Sequence, residues 1–390
     1  MVRPVTNDAT ATLAGVVTVL EQMYDPAWAR DWDAVGLVCG DPAAPVRRVL
    51  LAVDPAPSVI EEALAWRADL VLTHHPLLFR PVHSVAATSP KGRAVHQLIR
   101  AGCALYTAHT NADVAAPGVS DALARVLGLT DLAPLSADPV EPTDKLVTFV
   151  PEADAEKLVD ALAAAGAGAV GAYSRCAWTA TDASGSPTED SRPAAAGSAP
   201  PERRVEMVLP RQQRRAVVSA LRSVHPHEEP LFDLYELATG PGPRGIGRVG
   251  RLTVPTTLRE FAMLVAEALP ATTQGVRIAG DPMAEISRIA VCGGAGDSLL
   301  DVVRASGADA FVTADLRHHP ASDLRDQAGD GGPYLIDVAH WASEWPWLAG
   351  VANRLEGAMD AAGTRVEVHV STRCTDPWMF RVPSPGGVLR

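Results

Sequence analysis

The feature that most constrains this chain is a pattern written twice, 240 residues apart. The first copy runs from Arg48 to Thr73 as RVLLAVDPAPSVIEEALAWRADLVLT. The second runs from Arg288 to Thr313 as RIAVCGGAGDSLLDVVRASGADAFVT. Each holds an apolar run, a loop, an amphipathic stretch, then Ala-Asp and a second apolar run closing on Thr, with no gap across 26 positions. Short apolar runs alternating with helical spacing predict an α/β fold with a mostly parallel sheet covered on both faces. His74-His75-Pro76 follows the first copy directly, and His318-His319-Pro320 follows the second after an insertion, Ala314 to Arg317. Two lobes built alike can face each other, so histidines at matching strand ends can meet between them.

The remaining periodicities extend both lobes. In the first, helices are expected over 12–25, Pro57 to Arg67, 90–101 and Ser120 to Leu127. Its strands are Val49 to Val53, Leu70 to Thr73 and Ala104 to Ala108. In the second, strands are expected at Ile289 to Cys292, Ala310 to Thr313, Tyr334 to Val338 and finally Val366 to Val370, with helices Ser298 to Ala305 and Trp341 to Leu355. Between them, strands at Leu146 to Val150, Arg204 to Leu209 and Phe232 to Leu237 alternate with helices Ala153 to Ala165 and Arg211 to Val224. That βαβ…βαβ order predicts a small ferredoxin-like insert. The expected division is a first lobe over 1–143, an insert over 144–245 and a second lobe over 246–390, the two lobes forming one core domain. The Ser-, Pro-, Ala- and Gly-rich stretch 182–203 is expected to be a mobile loop within the insert.

Composition narrows the function classes. A formal net charge of −12 argues against a strongly electrostatic nucleic-acid partner. No apolar run reaches the roughly 18 residues of a membrane span, and the N-terminus lacks a basic segment followed by an apolar core. Five cysteines without a CxxC make no disulfide framework, which points to a reducing cytoplasm.

Three histidine motifs carry the chemistry. Thr73-His74-His75-Pro76 ends a buried strand, at the carboxyl edge where open α/β sheets bind ligands. Pro76 biases His75 toward an extended backbone, so the two side chains point apart and suit two neighbouring ions, one imidazole each. His340 and Glu344 start a helix straight after a strand, and their i, i+4 spacing puts both on one face. His109 and Asp113 repeat that spacing after another strand, 231 residues earlier. Singly, each motif is as readily a buried or surface histidine beside a helix-start carboxylate. Together, at strand ends of facing lobes, they point to a metal site. Imidazoles and carboxylates without thiolate suit two divalent ions drawn from Zn, Mn, Fe, Co or Ni. Two ions about 3.5–4 Å apart suit hydrolase chemistry. His109 and His319 are the candidate catalytic histidines, His319 as a general acid or phosphate contact in the cavity. The Gly293-Gly294-Ala295-Gly296-Asp297 loop, between a strand and a helix, is a candidate anion cradle.

These residues resemble a known family, the GTP cyclohydrolase I type 2 homologues, also called the NIF-three-like dinuclear-metal hexameric proteins. WDAVGLVCGDP (Trp32 to Pro42), LTHHPLLF (Leu72 to Phe79), AHTNAD (Ala108 to Asp113), CGGAG (Cys292 to Gly296) and AHWASE (Ala339 to Glu344) match its blocks. AGAGAVGAYSRC (Ala165 to Cys176) and HPHEEPLFDLY (His225 to Tyr235) resemble its PII-like insert. Ala34, Ser120, Ala339, Trp341 and His227 depart from the family's usual residues, and none of them removes a ligand. The resemblance implies metal ligands at His74, His75, Asp113, His340 and Glu344, a homohexamer, and a small-molecule substrate such as a nucleotide. Its name implies attack of water on a purine ring. The other reading is a non-enzymatic metal-binding assembly or regulatory protein whose insert is a sensor or partner surface. Metal trafficking fits less well, because these ligands would form a closed, thiol-free site.

Overall fold

The computed structural model describes residues 10–181 and 202–382. The chain divides into two compact units, one holding Met1–Asp138 with Pro243–Arg390 and the other Pro139–Gly242.

The larger unit is mixed α/β with two main sheets. The five-stranded sheet runs in the order Glu367–Val370, Arg48–Ala52, Leu70–Thr73, Ala104–Thr107, Gly36–Cys39. Its first four strands are parallel and the last is antiparallel. The six-stranded sheet runs in the order Arg277–Ala279, Tyr334–Val338, Ala310–Ala314, Glu285–Ala295, Pro241–Thr257, Thr130–Pro139. Only Glu285–Ala295, Ala310–Ala314 and Tyr334–Val338 are parallel there, with Arg277–Ala279 and Pro241–Thr257 antiparallel to their neighbours.

Alternating side chains sort each strand onto two cores. Leu51, Leu72 and Tyr106 of one sheet share a core with Val291, Val312 and Ile336 of the other, together with Leu348, Val351 and Leu355 of the helix Pro346–Ala361. Leu50, Val71 and Leu105 face the opposite way, onto Val59, Ile60 and Ala63 of the helix Pro57–Trp66 and onto Val95 and Leu98. Ala290, Phe311 and Leu335 do the same beneath Val303 and Leu324.

The written repeat is a repeat of bonds. Val49 pairs with Leu70 as Ile289 pairs with Ala310, the same register at the 240-residue offset. Its Ala-Asp step has a physical reason. Asp69 Oδ2 accepts the backbone N–H of Arg47 (2.8 Å) and Arg48 (2.9 Å). Asp309 Oδ2 accepts those of Ser287 (2.8 Å) and Arg288 (2.7 Å). Each aspartate thus ties the start of its own strand to the start of the neighbouring one.

Several expectations change. The final strand, Glu367–Val370, pairs with Arg48–Ala52 and so joins the first lobe's sheet, and Thr130–Pro139 from the first lobe joins the six-stranded sheet. The two sequence halves therefore exchange strands. The single helix expected over Trp341 to Leu355 is two, His340–Glu344 and Pro346–Ala361, because Pro346 has no N–H to continue the first. Strands Thr130–Pro139, Pro241–Thr257, Arg277–Ala279 and Trp178–Thr181 were not expected.

The smaller unit has the element order β-α-β-β-α-β, in an antiparallel sheet ordered Phe232–Glu236, Thr143–Pro151, Glu202–Pro210, Trp178–Thr181. Its own core packs Leu146, Val150, Val205 and Met207 against Leu158, Leu162, Val217 and Leu221. Residues 182–201 of the expected mobile loop lie outside the described residues, and its last two, Glu202 and Arg203, begin a strand.

Candidate metal centre

Four histidines stand at carboxyl ends of strands from both large sheets, and each has one ring nitrogen tied back. His74, fully buried after the strand Leu70–Thr73, donates from Nδ1 to the Ala108 carbonyl (2.9 Å). His75 Nδ1 donates to Asp54 Oδ1 (2.7 Å). His109 Nδ1 donates to Asp33 Oδ1 (2.8 Å), and His340 Nδ1 to Asp315 Oδ2 (2.7 Å). Carboxylates and carbonyls only accept, so each Nδ1 carries a proton and Nε2 is the ring nitrogen left to face a ligand. The rings sit close, with centroids 5.0 Å apart for His74 and His75, 5.2 Å for His74 and His109, and 5.2 Å for His75 and His340.

Glu344 lies between them. Its Oε1 is 2.9 Å from His340 Nε2 and 3.3 Å from His74 Nε2, and its Oε2 is 3.1 Å from His75 Nε2. Asp113 Oδ1 is 3.6 Å from His74 Nε2. The adjacent histidines, expected to point apart, instead lie in a bend with their rings close together, and they meet different oxygens of one carboxylate. Two groups have donor atoms close enough to hold an ion, His74 with His75 and His109, and His75 with His340 and Glu344.

The electrostatics follow from burial and pairing. Burial opposes a charged His75 or His340, but Glu344 and the aspartates behind outweigh it, raising His75 to about 10 and His340 to about 11. His74 is raised against its burial in the same way, by Glu344 and Asp113. Burial alone would raise Glu344, yet the three imidazoles hold it well below the usual carboxylate range. Asp113 is pushed up, because burial and the Glu344 charge outweigh the attraction of His74.

These residues fit a metal. His74 Nε2 and Glu344 Oε2 are buried and make no hydrogen bond of acceptable geometry, an expensive state that a cation between them would relieve. Space is kept for that cation by Gly294, at φ +70. A Cβ there would lie 2.6 Å from Glu344 Oε1 and 3.1 Å from His340 Nε2. A cavity of about 510 Å³ opens on the cluster, lined by His75, His109, His340, Phe79, Trp341 and Trp378 among others.

Two sequence expectations are not met. His319 lies exposed in the first turn of the helix His318–Ala328 and does not line this cavity, so the insertion has carried it away from the cluster. The glycine loop is no anion cradle, because the N–H groups of Gly293, Gly294 and Gly296 already donate to Ser120 Oγ, Ser343 Oγ and the Ala314 carbonyl. Asp33, Asp54 and Asp315 went unrecognised, since each acts only through the histidine it holds. A signal existed for Asp315. Extending the repeat without a gap sets it opposite His75.

A two-sheet α/β frame with histidines and carboxylates gathered at its strand ends defines the class, a protein with a candidate metal centre. The match to the Duf34/NIF3 model (NGG1p interacting factor 3) spans residues 11–377, and the chain belongs to that family. A Mycobacterium tuberculosis protein called GTP cyclohydrolase 1 type 2 homolog is 49% identical over 376 residues, covering 94% of this chain and 96% of the relative. The Bacillus subtilis protein of that name is 34% identical, covering 94% and 97%. Among solved structures, a Bacillus cereus protein related to NIF3 aligns with TM-score 0.77 at 32% identity, covering 95% of this chain and 99% of that one. Staphylococcus aureus protein SA1388 aligns with TM-score 0.82 at 28% identity, covering 95% and 99%.

Proposed function

We propose that this chain is a dinuclear metal-dependent hydrolase of a nucleotide or another phosphorylated small molecule, working in the cytoplasm. The observation that carries this is the tying back of four Nδ1 atoms, with the Nε2 atoms of His74, His75 and His340 gathered on the buried Glu344 carboxylate, whose Oε2 has no hydrogen-bond partner. On this reading His74, His75, Asp113, His340 and Glu344 would hold two divalent ions, each ring offering its Nε2. Divalent ions held there supply Lewis acidity and activate water near neutral pH. The protein's own part is orientation and exclusion of solvent. Asp33, Asp54 and Asp315 fix the rings, and His109, held by Asp33 at the cavity wall, is placed to take a proton from an attacking water. Phe79, stacked on Trp32 (6.2 Å, 10°), and Trp378 offer apolar faces suited to a planar base.

The relatives' name supports a nucleotide substrate, and the β-α-β-β-α-β order of the smaller unit supports a ferredoxin-like, PII-like insert between two duplicated lobes. By the same kinship we expect a homohexamer. The test is turnover of nucleotides and phosphoesters by protein with its metal restored. Hydrolysis that disappears in Glu344→Gln supports the reading, and a panel with no substrate removes it.

A non-enzymatic regulatory role keeps one observation of its own. The smaller unit has a cavity of about 480 Å³ lined by Val170, Cys176, Trp178 and Met207, with Trp178 exposed, a surface suited to a sensed ligand.

A further inference from the structure

The carboxylates around the metal cavity are not equivalent. Asp54 and Asp315 line it and each is committed to a histidine, His75 and His340. Asp54 also accepts from the Thr375 hydroxyl. The third, Asp376, lines the same cavity from the segment after the last strand, and no histidine claims it. It is about nine-tenths buried, 9% exposed, and its Oδ2 has no hydrogen-bond partner. Prolines 55, 76 and 377 with Phe79, Trp341 and Trp378 supply the apolar part of a wall that also holds Gln274 and Thr375.

We propose that Asp376 is a catalytic residue of this cavity, the general acid that gives its proton to the leaving oxygen of a phosphoester or nucleotide substrate. The proposal rests on the hydrolase reading above. In the step, the oxygen of water bonds to phosphorus and the bond from phosphorus to the leaving oxygen breaks. The electron pair stays on that oxygen, which takes the Asp376 proton. The water gives up one proton, and its return through solvent restores the Asp376 carboxyl. Two physical facts suit Asp376 to this. Burial, with the nearby Asp315 and Asp54 charges, pushes its carboxyl up against the pull of the Trp378 N–H. Its Oδ2, buried without a hydrogen-bond partner, is also free to carry the proton toward a polar leaving group. The other titratable groups facing the cavity are His75, His109 and His340 with Asp54 and Asp315.

The test compares wild type with Asp376→Asn, metal restored, on a substrate that the wild type hydrolyses. Expected are unchanged metal content and thermal midpoint, a fall in kcat of about 100-fold or more, and loss of the alkaline limb of the pH profile. A kcat within threefold of wild type overturns the role of Asp376 and leaves the hydrolase reading standing. Loss of metal overturns it too, by making Asp376 part of the metal frame. A readout independent of turnover is the infrared spectrum of metal-free protein at about pH 5, where an ordinary aspartate is ionised. Wild type minus Asp376→Asn should show a protonated-carboxyl band, and its absence contradicts the proposal. If Asp376→Asn does not fold, Asp376→Glu should keep the alkaline limb at reduced kcat, and a lost limb with intact metal contradicts the assignment. A wild type that hydrolyses nothing sinks the hydrolase reading and this proposal with it.

Discussion

At the scale of single residues, Glu344 sets the character of the cluster. Without metal it is the counter-charge for His75 and His340, whose folded values near 10 and 11 lie above the ordinary imidazole value of about 6.5. Groups raised on folding stabilise fully below their unfolded value, and that stability is lost as pH rises through the folded value. The thermal midpoint of chelator-treated protein should therefore fall from about pH 6.5 to about pH 10, beyond any general alkaline loss. In Glu344→Gln the slope over that window should flatten, and an equal slope in both proteins would remove the electrostatic account. Gly294 is the second decisive residue. Gly294→Ala adds a methyl within 2.6 Å of Glu344 Oε1 at a positive φ. Metal affinity measured by calorimetry should drop about tenfold or more, the usual cost of disturbing a ligand's support. The ligand candidates were legible in sequence because His, Asp and Glu at i, i+4 spacing after a strand are rare together. Their supports were not, because Asp33 and Asp54 hold histidines 76 and 21 residues away through contacts that only folding creates. His319 misled for the opposite reason. A pair of histidines before a proline looks the same in sequence whether it ends a strand or opens an exposed helix turn.

At the scale of elements, the repeat foretold strand–helix–strand units, and the Leu70–Thr73 and Tyr334–Val338 strands fall on the residues expected from their apolar runs. What the repeat could not foretell was exchange. Glu367–Val370 is a short amphipathic strand, and nothing in its own pattern says that its partner is Arg48–Ala52. Pairing across more than 300 residues is decided by the packed sheets, since local propensity in strands is weak. The Ala-Asp step is where the element scale can be tested. Asp309→Ala leaves the N–H groups of Ser287 and Arg288 without their acceptor. Urea denaturation should show a loss of about 1–3 kcal/mol. A loss under about 0.5 kcal/mol, the size of a neutral surface change, would contradict the clamp.

At the scale of the whole molecule, the chain leaves the larger unit along Thr130–Pro139 and returns along Pro241–Thr257, neighbours in one sheet. The smaller unit has a core of its own and supplies none of the candidate ligands. Replacing residues 140–241 by a two-residue hairpin should give a folded protein with the metal content of the full chain, measured by elemental analysis. A shortened protein that folds but binds no metal would mean that the smaller unit helps to form the centre.

One dinuclear centre joining the two sheets is tested by metal stoichiometry in wild type and in the double variant His75→Ala, Glu344→Ala. About two divalent ions are expected per wild-type chain, and less than half of that in the variant. A wild type that binds no metal when supplied with it, or a folded variant that keeps more than half of its ions, would contradict it.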